Sequence, residues 1–248
     1  MQGRTDSMMT FEHASLSDRG RVRQNNEDAC AQFVPEGAGE LADRGAVFVV
    51  ADGMGGHRGG EIASRIAVRT IIAFYTANSD ENRSHALARA FREANKTILE
   101  ESVADSTLFG MGTTCTALAL HNGHAYFAHV GDSRGYLVRD GRITQITHDH
   151  SIVGEMVRSG ILSDEDARNH PKRNVITKSL GAQDDIAADL PTALDLEPGD
   201  TFLLCSDGLT AYLSDSDIAE MLATSSPFAE RWAARQSATR RAKSVPTT

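Results

Sequence analysis

Cysteine is scarce in this chain: three among 248 residues, Cys30, Cys115 and Cys205, far apart and without a Cys-x-x-Cys pairing. That excludes a disulfide framework and fits a reducing compartment. Cys115 and Cys205 lie in apolar runs and read as small core residues. Positive charge is also short. Lysine and arginine number 25 against 34 acids, a net charge of −9, which argues against nucleic-acid phosphates as the main partner. Nothing approaches the ~18 consecutive apolar residues of a membrane span, and the opening MQGRTDSMMTFEH has no apolar signal core. The expectation is a soluble cytoplasmic monomer with neither a membrane nor a nucleic-acid partner. No internal repeat or low-complexity segment divides the chain, and 40% hydrophobic content suffices for one core.

Apolar runs at 46–51, 114–120, 124–130, 135–139 and 201–205 read as strands. Asn122-Gly123 and Asp140-Gly141 each separate two such runs, which are hairpin signals, so 111–147 is predicted to form an antiparallel meander. Helical spacing marks 62–75, and more cleanly 84–100, where Leu87, Phe91, Ala94 and Ile98 make one stripe. Shorter helices fit 151–159, stopped by Gly160, and the stretch after Asp215. Strands and helices come in blocks, which predicts an α+β arrangement of antiparallel sheets covered by helices.

The stretch FVVADGMGGHRGGE, residues 48–61, ends a buried strand on Asp52 and then spends five glycines around His57. A turn needs one or two, so something must approach this backbone closely. Two other apolar runs end alike, FAHV on Gly131-Asp132-Ser133 and TFLLC on Ser206-Asp207-Gly208. A further acidic pair, Glu27-Asp28, precedes another short apolar run. One such ending is an ordinary turn. Three on strands sharing a core are costly, because clustered carboxylates repel unless a cation intervenes. Carboxylates are hard oxygen donors suited to Mg²⁺ or Mn²⁺, and no histidine–cysteine cluster of zinc type is present. A carboxylate-bound metal pair activates water against a phosphoryl centre.

Five motifs then occur in order: Gly20-Arg21-Val22-Arg23-Gln24-Asn25-Asn26-Glu27-Asp28, Asp52-Gly53-Met54-Gly55-Gly56-His57, Gly112-Thr113-Thr114, Val130-Gly131-Asp132-Ser133-Arg134 and Cys205-Ser206-Asp207-Gly208-Leu209. Together they resemble the bacterial branch of the protein phosphatase 2C family, the metal-dependent serine/threonine phosphatases. The resemblance implies two central antiparallel β-sheets packed as a sandwich flanked by helices, with metals in a cleft at one edge. It implies two Mn²⁺ or Mg²⁺ ions and a weaker third. Asp52 matches the carboxylate bridging two metals, Gly53 the carbonyl offered to the second, and Asp207 the other carboxylate of the pair. Glu27 and Asp28 match the acids that hold metal-bound water, and Asp132 the ligand of the third ion, shared with Asp207. Arg23 matches the phosphate-binding arginine, whose fork suits two phosphate oxygens. His57 matches the general acid, in the right titration range to protonate a leaving alkoxide. Water bridging the metals would attack phosphorus in line. The implied partners are phosphorylated proteins, a serine/threonine kinase and its substrates among them.

By the same resemblance, residues 11–224 form the catalytic domain, with a variable flap at about 151–173. Residues 1–10 are expected to be disordered and 225–248 to be an atypical basic tail. His148-Asp149-His150-Ser151 invites a second metal site, but it matches the stretch entering the flap, where a structural role is expected. The family's last two strands, with their Gly-x-Asp-Asn motif, have no counterpart after Ser225, which reads SPFAERWAARQSATRRAKSVPTT. The expectation is therefore a fold missing its last strands and an activity reduced or dependent on high Mn²⁺. The rival reading is a pseudophosphatase, a module that binds phosphoproteins or a kinase with little turnover.

Overall fold

The computed structural model describes residues 11–20, 25–55, 59–78 and 82–223. The chain runs through β1 (Asp28–Phe33), α1 (Ala38–Arg44), β2 (Ala46–Met54), α2 (Gly59–Ala77) and α3 (Arg83–Ala104). Four strands follow, β3 (Gly112–Thr113), β4 (Cys115–His121), β5 (His124–Val130) and β6 (Arg134–Arg139), and then β7 (Arg142–Gln145). Next come α4 (Ile152–Arg158), α5 (Asp164–Asn169), β8 (Leu194–Asp195), β9 (Thr201–Cys205), α6 (Asp207–Thr210) and α7 (Asp215–Ala223).

The strands form two antiparallel sheets, as expected. One has the order β1-β2-β4-β5-β8, with β3 added against the end of β2; the other is β7-β6-β9. Alternation along the strands decides what each face meets. On β2, Val47, Val49 and Ala51 join Ala117, Ala119 and Ala128 in the core under α2 and α3. Alanine at so many of these positions lets the helices lie close. The opposite face carries Leu118, Leu120 and Phe127, which meet Phe48, Phe202 and Leu204 between the sheets. Beyond the second sheet, Tyr136, Leu203 and Cys205 pack with Leu209 and Ile218 of the last helices. The result is a helix–sheet–sheet–helix sandwich.

The predicted α3 stripe is real: Leu87, Phe91, Ala94 and Ile98 are fully buried. Asn82 caps the helix, accepting from Ser84 N–H at 3.0 Å and His85 N–H at 3.3 Å. The predicted meander over 111–147 is corrected. It is two hairpins, β4–β5 in the first sheet and β6–β7 in the second. Gly131, with φ +109°, takes a conformation that side chains avoid and turns the chain from one sheet into the other. Among the described residues no strand follows β9. Residues 1–10 and the basic tail lie outside the described residues.

Candidate metal centre

The fold brings the strand-end aspartates to the same edge. Asp28 opens β1 directly opposite Asp52 in the antiparallel register. Asp132 sits in the turn between the sheets, and Asp207 follows β9 at the start of α6. The two sheets are tied here by Ser206, whose hydroxyl donates to Asp28 Oδ2 at 2.9 Å. Asp52 is held by its backbone: its N–H donates to Thr114 Oγ1, and its carbonyl accepts from Thr114 N–H and from Thr113 Oγ1, each at 2.9 Å.

These carboxylates crowd one another. Burial, followed by the charges of Asp28 and Asp207, pushes the Asp52 carboxyl up to about 9. Burial and then Asp207 push Asp132 up to about 7. Arg134 lies beside Asp132 but forks onto Asp149, with Nε 3.0 Å from both oxygens and Nη2 2.7 Å from Oδ2. Gln145 donates to the same carboxylate at 2.9 Å. Asp149 is therefore engaged in an ion pair, while Ser151 Oγ caps α4 by accepting from Gly154 N–H at 3.1 Å.

Among the described residues, no three histidine, cysteine or acidic side chains close into a finished ligand set. The donors nonetheless fit divalent cations: hard oxygens, partly buried, whose strongest charged neighbours at Asp52 are all acids. A cation would replace the protons that crowding now favours.

The glycines have a structural explanation as well. A side chain at Gly53 would land on the carbonyl of Gly60, and one at Gly60 would come within 2.8 Å of Gly53 C. The end of β2 and the first turn of α2 thus touch backbone to backbone, and α2 starts three residues before the predicted 62. Gly53 N–H also donates to the Glu27 carbonyl at 3.1 Å, which fixes the acidic pair beside the strand end. Arg23 and His57 lie outside the described residues. Sequence reasoning gave no role to Thr114 or Ser206; their position inside the Gly-Thr-Thr and Ser-Asp-Gly motifs was the available signal.

The family described as Protein phosphatase 2C matches residues 19–246. Serine/threonine phosphatase stp of Listeria monocytogenes serotype 4b (strain F2365) is 38% identical over 227 residues, covering 88% of this chain and 86% of that protein. The crystal structure of the serine/threonine phosphatase Stp1 from Staphylococcus aureus superposes with a TM-score of 0.79 at 31% identity, covering 93% of this chain and 90% of that one. The catalytic domain of the serine threonine protein phosphatase PstP, in complex with two manganese ions, gives a TM-score of 0.75 at 35% identity over 90% of this chain and 88% of that one.

Proposed function

The chain belongs to the protein phosphatase 2C family, and on that footing we propose how its residues divide the work of a metal-dependent serine/threonine phosphatase. The substrate is a phosphoserine or phosphothreonine of another protein, and the cofactor is Mn²⁺ or Mg²⁺. The observation that carries the assignment is the crowding of Asp28, Asp52, Asp132 and Asp207, drawn from two sheets, around an Asp52 carboxyl that holds its proton to about 9. Asp52, the Gly53 carbonyl and Asp207 hold the two main ions, with Glu27 and Asp28 around them. Asp132, with Asp207, serves a weaker third. When bound, the ions supply an activated water and neutralise charge at phosphorus.

The remaining steps belong to the chain's own groups. Arg23 forks onto the phosphoryl oxygens and orients the group for in-line displacement. His57 hands a proton to the departing alkoxide. The helices and turns of 151–173 form the flap beside the cleft and bear on which phosphoprotein is accepted. The partners are a serine/threonine kinase and its substrates in the cytoplasm; among the described residues no helix is long and apolar enough to cross a membrane. The crowded carboxylates and the phosphatase relatives favour turnover over a binding module.

The test is hydrolysis of a phosphothreonine peptide across a Mn²⁺ titration, with Asp207→Ala alongside. Turnover should rise with Mn²⁺ and vanish in the variant. Turnover that persists in chelator, or that survives Asp207→Ala, would overturn the assignment.

A further inference from the structure

A second cluster of buried polar groups lies directly behind the metal edge, and the chemistry above leaves it unused. Gly131, the residue before Asp132, is clasped on both sides. Its N–H donates to His150 Nδ1 at 3.0 Å. Its carbonyl accepts from His150 N–H at 2.7 Å and from His129 Nε2 at 2.9 Å. The two imidazoles stack, with centroids 5.0 Å apart and planes 22° apart.

The partners fix both tautomers. A backbone N–H can only donate, so His150 Nδ1 is a bare acceptor and its proton sits on Nε2. That Nε2 faces Asp189 Oδ2 at 3.0 Å, and Lys178 Nζ holds the other oxygen of Asp189 at 2.9 Å. A carbonyl can only accept, so His129 carries its proton on Nε2 and its Nδ1 faces Thr116 Oγ1 at 2.9 Å. On the far side of Asp132, the Ser133 hydroxyl meets Thr114 Oγ1 at 2.7 Å. That same oxygen accepts the Asp52 N–H at 2.9 Å. The turn bearing Asp132 is thereby registered to Asp52 at one end and to the imidazole clasp at the other.

We propose that His150, oriented by Asp189 and Lys178, is a positioning residue that fixes the Gly131–Asp132 turn and thereby sets the affinity of the weak metal site served by Asp132. The inference rests on the reading of Asp132 as a metal ligand. Groups that orient a ligand through one hydrogen bond typically change metal affinity by roughly 10- to 100-fold when lost. The main sites at Asp52 should be little affected, because Asp52 is held through Thr113 and Thr114 rather than through the clasp.

Two substitutions separate positioning from bulk. His150→Asn puts an amide oxygen where Nδ1 stands and can still accept the Gly131 N–H. His150→Gln reaches toward Asp189 and leaves that N–H without its acceptor. Mn²⁺ binding by the full chain would be followed by electron paramagnetic resonance of free Mn²⁺, with urea melts of each variant in chelator. His150→Gln should weaken the weak site roughly 10- to 100-fold, with His150→Asn near wild type and Asp132→Asn lacking the site. In the wild-type imidazole ¹⁵N spectrum, His150 should report the Nε2–H form.

Equal weakening by both His150 variants, or none by His150→Gln, would overturn the positioning role. A weak site intact in Asp132→Asn would instead remove the ligand assignment, and the inference with it. Should His150→Gln fail to fold, Asp189→Ala keeps the imidazole but loses its orienting partner. Weakening of the same site there supports the proposal, and unchanged binding overturns it.

Discussion

Replacing Asp52 by asparagine should make the metal-free protein more stable while ending its catalysis. The native carboxyl is pushed up to about 9 from an ordinary 3.8 by burial and then by Asp28 and Asp207. In the unfolded chain it ionises normally. The native state therefore binds an extra proton across that interval. Stability falls as pH rises from about 4 and levels off only above about 9. At pH 7 the protonated native carboxyl faces an ionised unfolded one, a difference of about 4 kcal/mol. Any native value well above 7 gives the same figure, because the unfolded value alone then sets it. Asparagine carries no such cost, so Asp52→Asn should gain about 2–4 kcal/mol in chelator at pH 7, a rise of roughly 5–15 °C in Tm. The fall in stability between pH 5 and 9 should flatten. Saturating Mn²⁺ reverses the trend for the wild type, adding about 2.7 kcal/mol per ion at a hundred times Kd, and should barely move the variant. Thermal melts at pH 5, 7 and 9, with chelator and with Mn²⁺, measure all of this. An Asp52→Asn chain melting below wild type in chelator at pH 7 would refute the reasoning.

Gly53→Ala forces a methyl onto the Gly60 carbonyl and should cost about 3 kcal/mol. Gly39→Ala, in the first turn of α1 with open space around it, should be neutral or stabilising by up to about 1 kcal/mol; equal urea midpoints for the two would contradict the packing argument. Asp149→Ala removes the carboxylate partner of the partly buried Arg134 guanidinium, which keeps its hydrogen bond to Tyr136 Oη, and should lower stability by roughly 1.5–3 kcal/mol, read as a Tm loss of roughly 3–12 °C. His57→Ala should slow phosphopeptides more than aryl phosphates, whose leaving groups need no proton; equal losses in kcat would count against the general-acid role.

The strand ends at the site were legible because three of the five apolar runs lead straight into an aspartate, Asp52, Asp132 or Asp207, and the α3 stripe because four apolar positions recur at helical spacing. Neither signal depends on distant parts of the chain. The jump between sheets at Gly131 was not legible, since the pattern on either side of it is that of a continuous meander. Tertiary contact also set the start of α2. Two glycines make a poor helix opening by propensity, yet Gly59 and Gly60 open it because Gly60 must lie against Gly53. The partnership of His129 with His150 hides for a similar reason. The two are far apart in sequence, and each alone is only a histidine near a turn. Arg23 and His57, on which the proposed chemistry leans, rest on motif position.

The hydrogen bond from Ser206 to Asp28 joins positions 178 residues apart, nearly the full length of the described chain. Closing so wide a loop is entropically the most demanding contact to make early, and it rewards the chain only after both sheets exist. The β1–β2 part of the metal edge, Asp28 opposite Asp52, is local and should form early, whereas the closure that brings Asp207 to it should come late in folding. A chain emerging during synthesis can bury the α2–α3 face of the first sheet long before Asp207 is available. In refolding, recovery of phosphatase activity should accordingly trail the return of secondary structure.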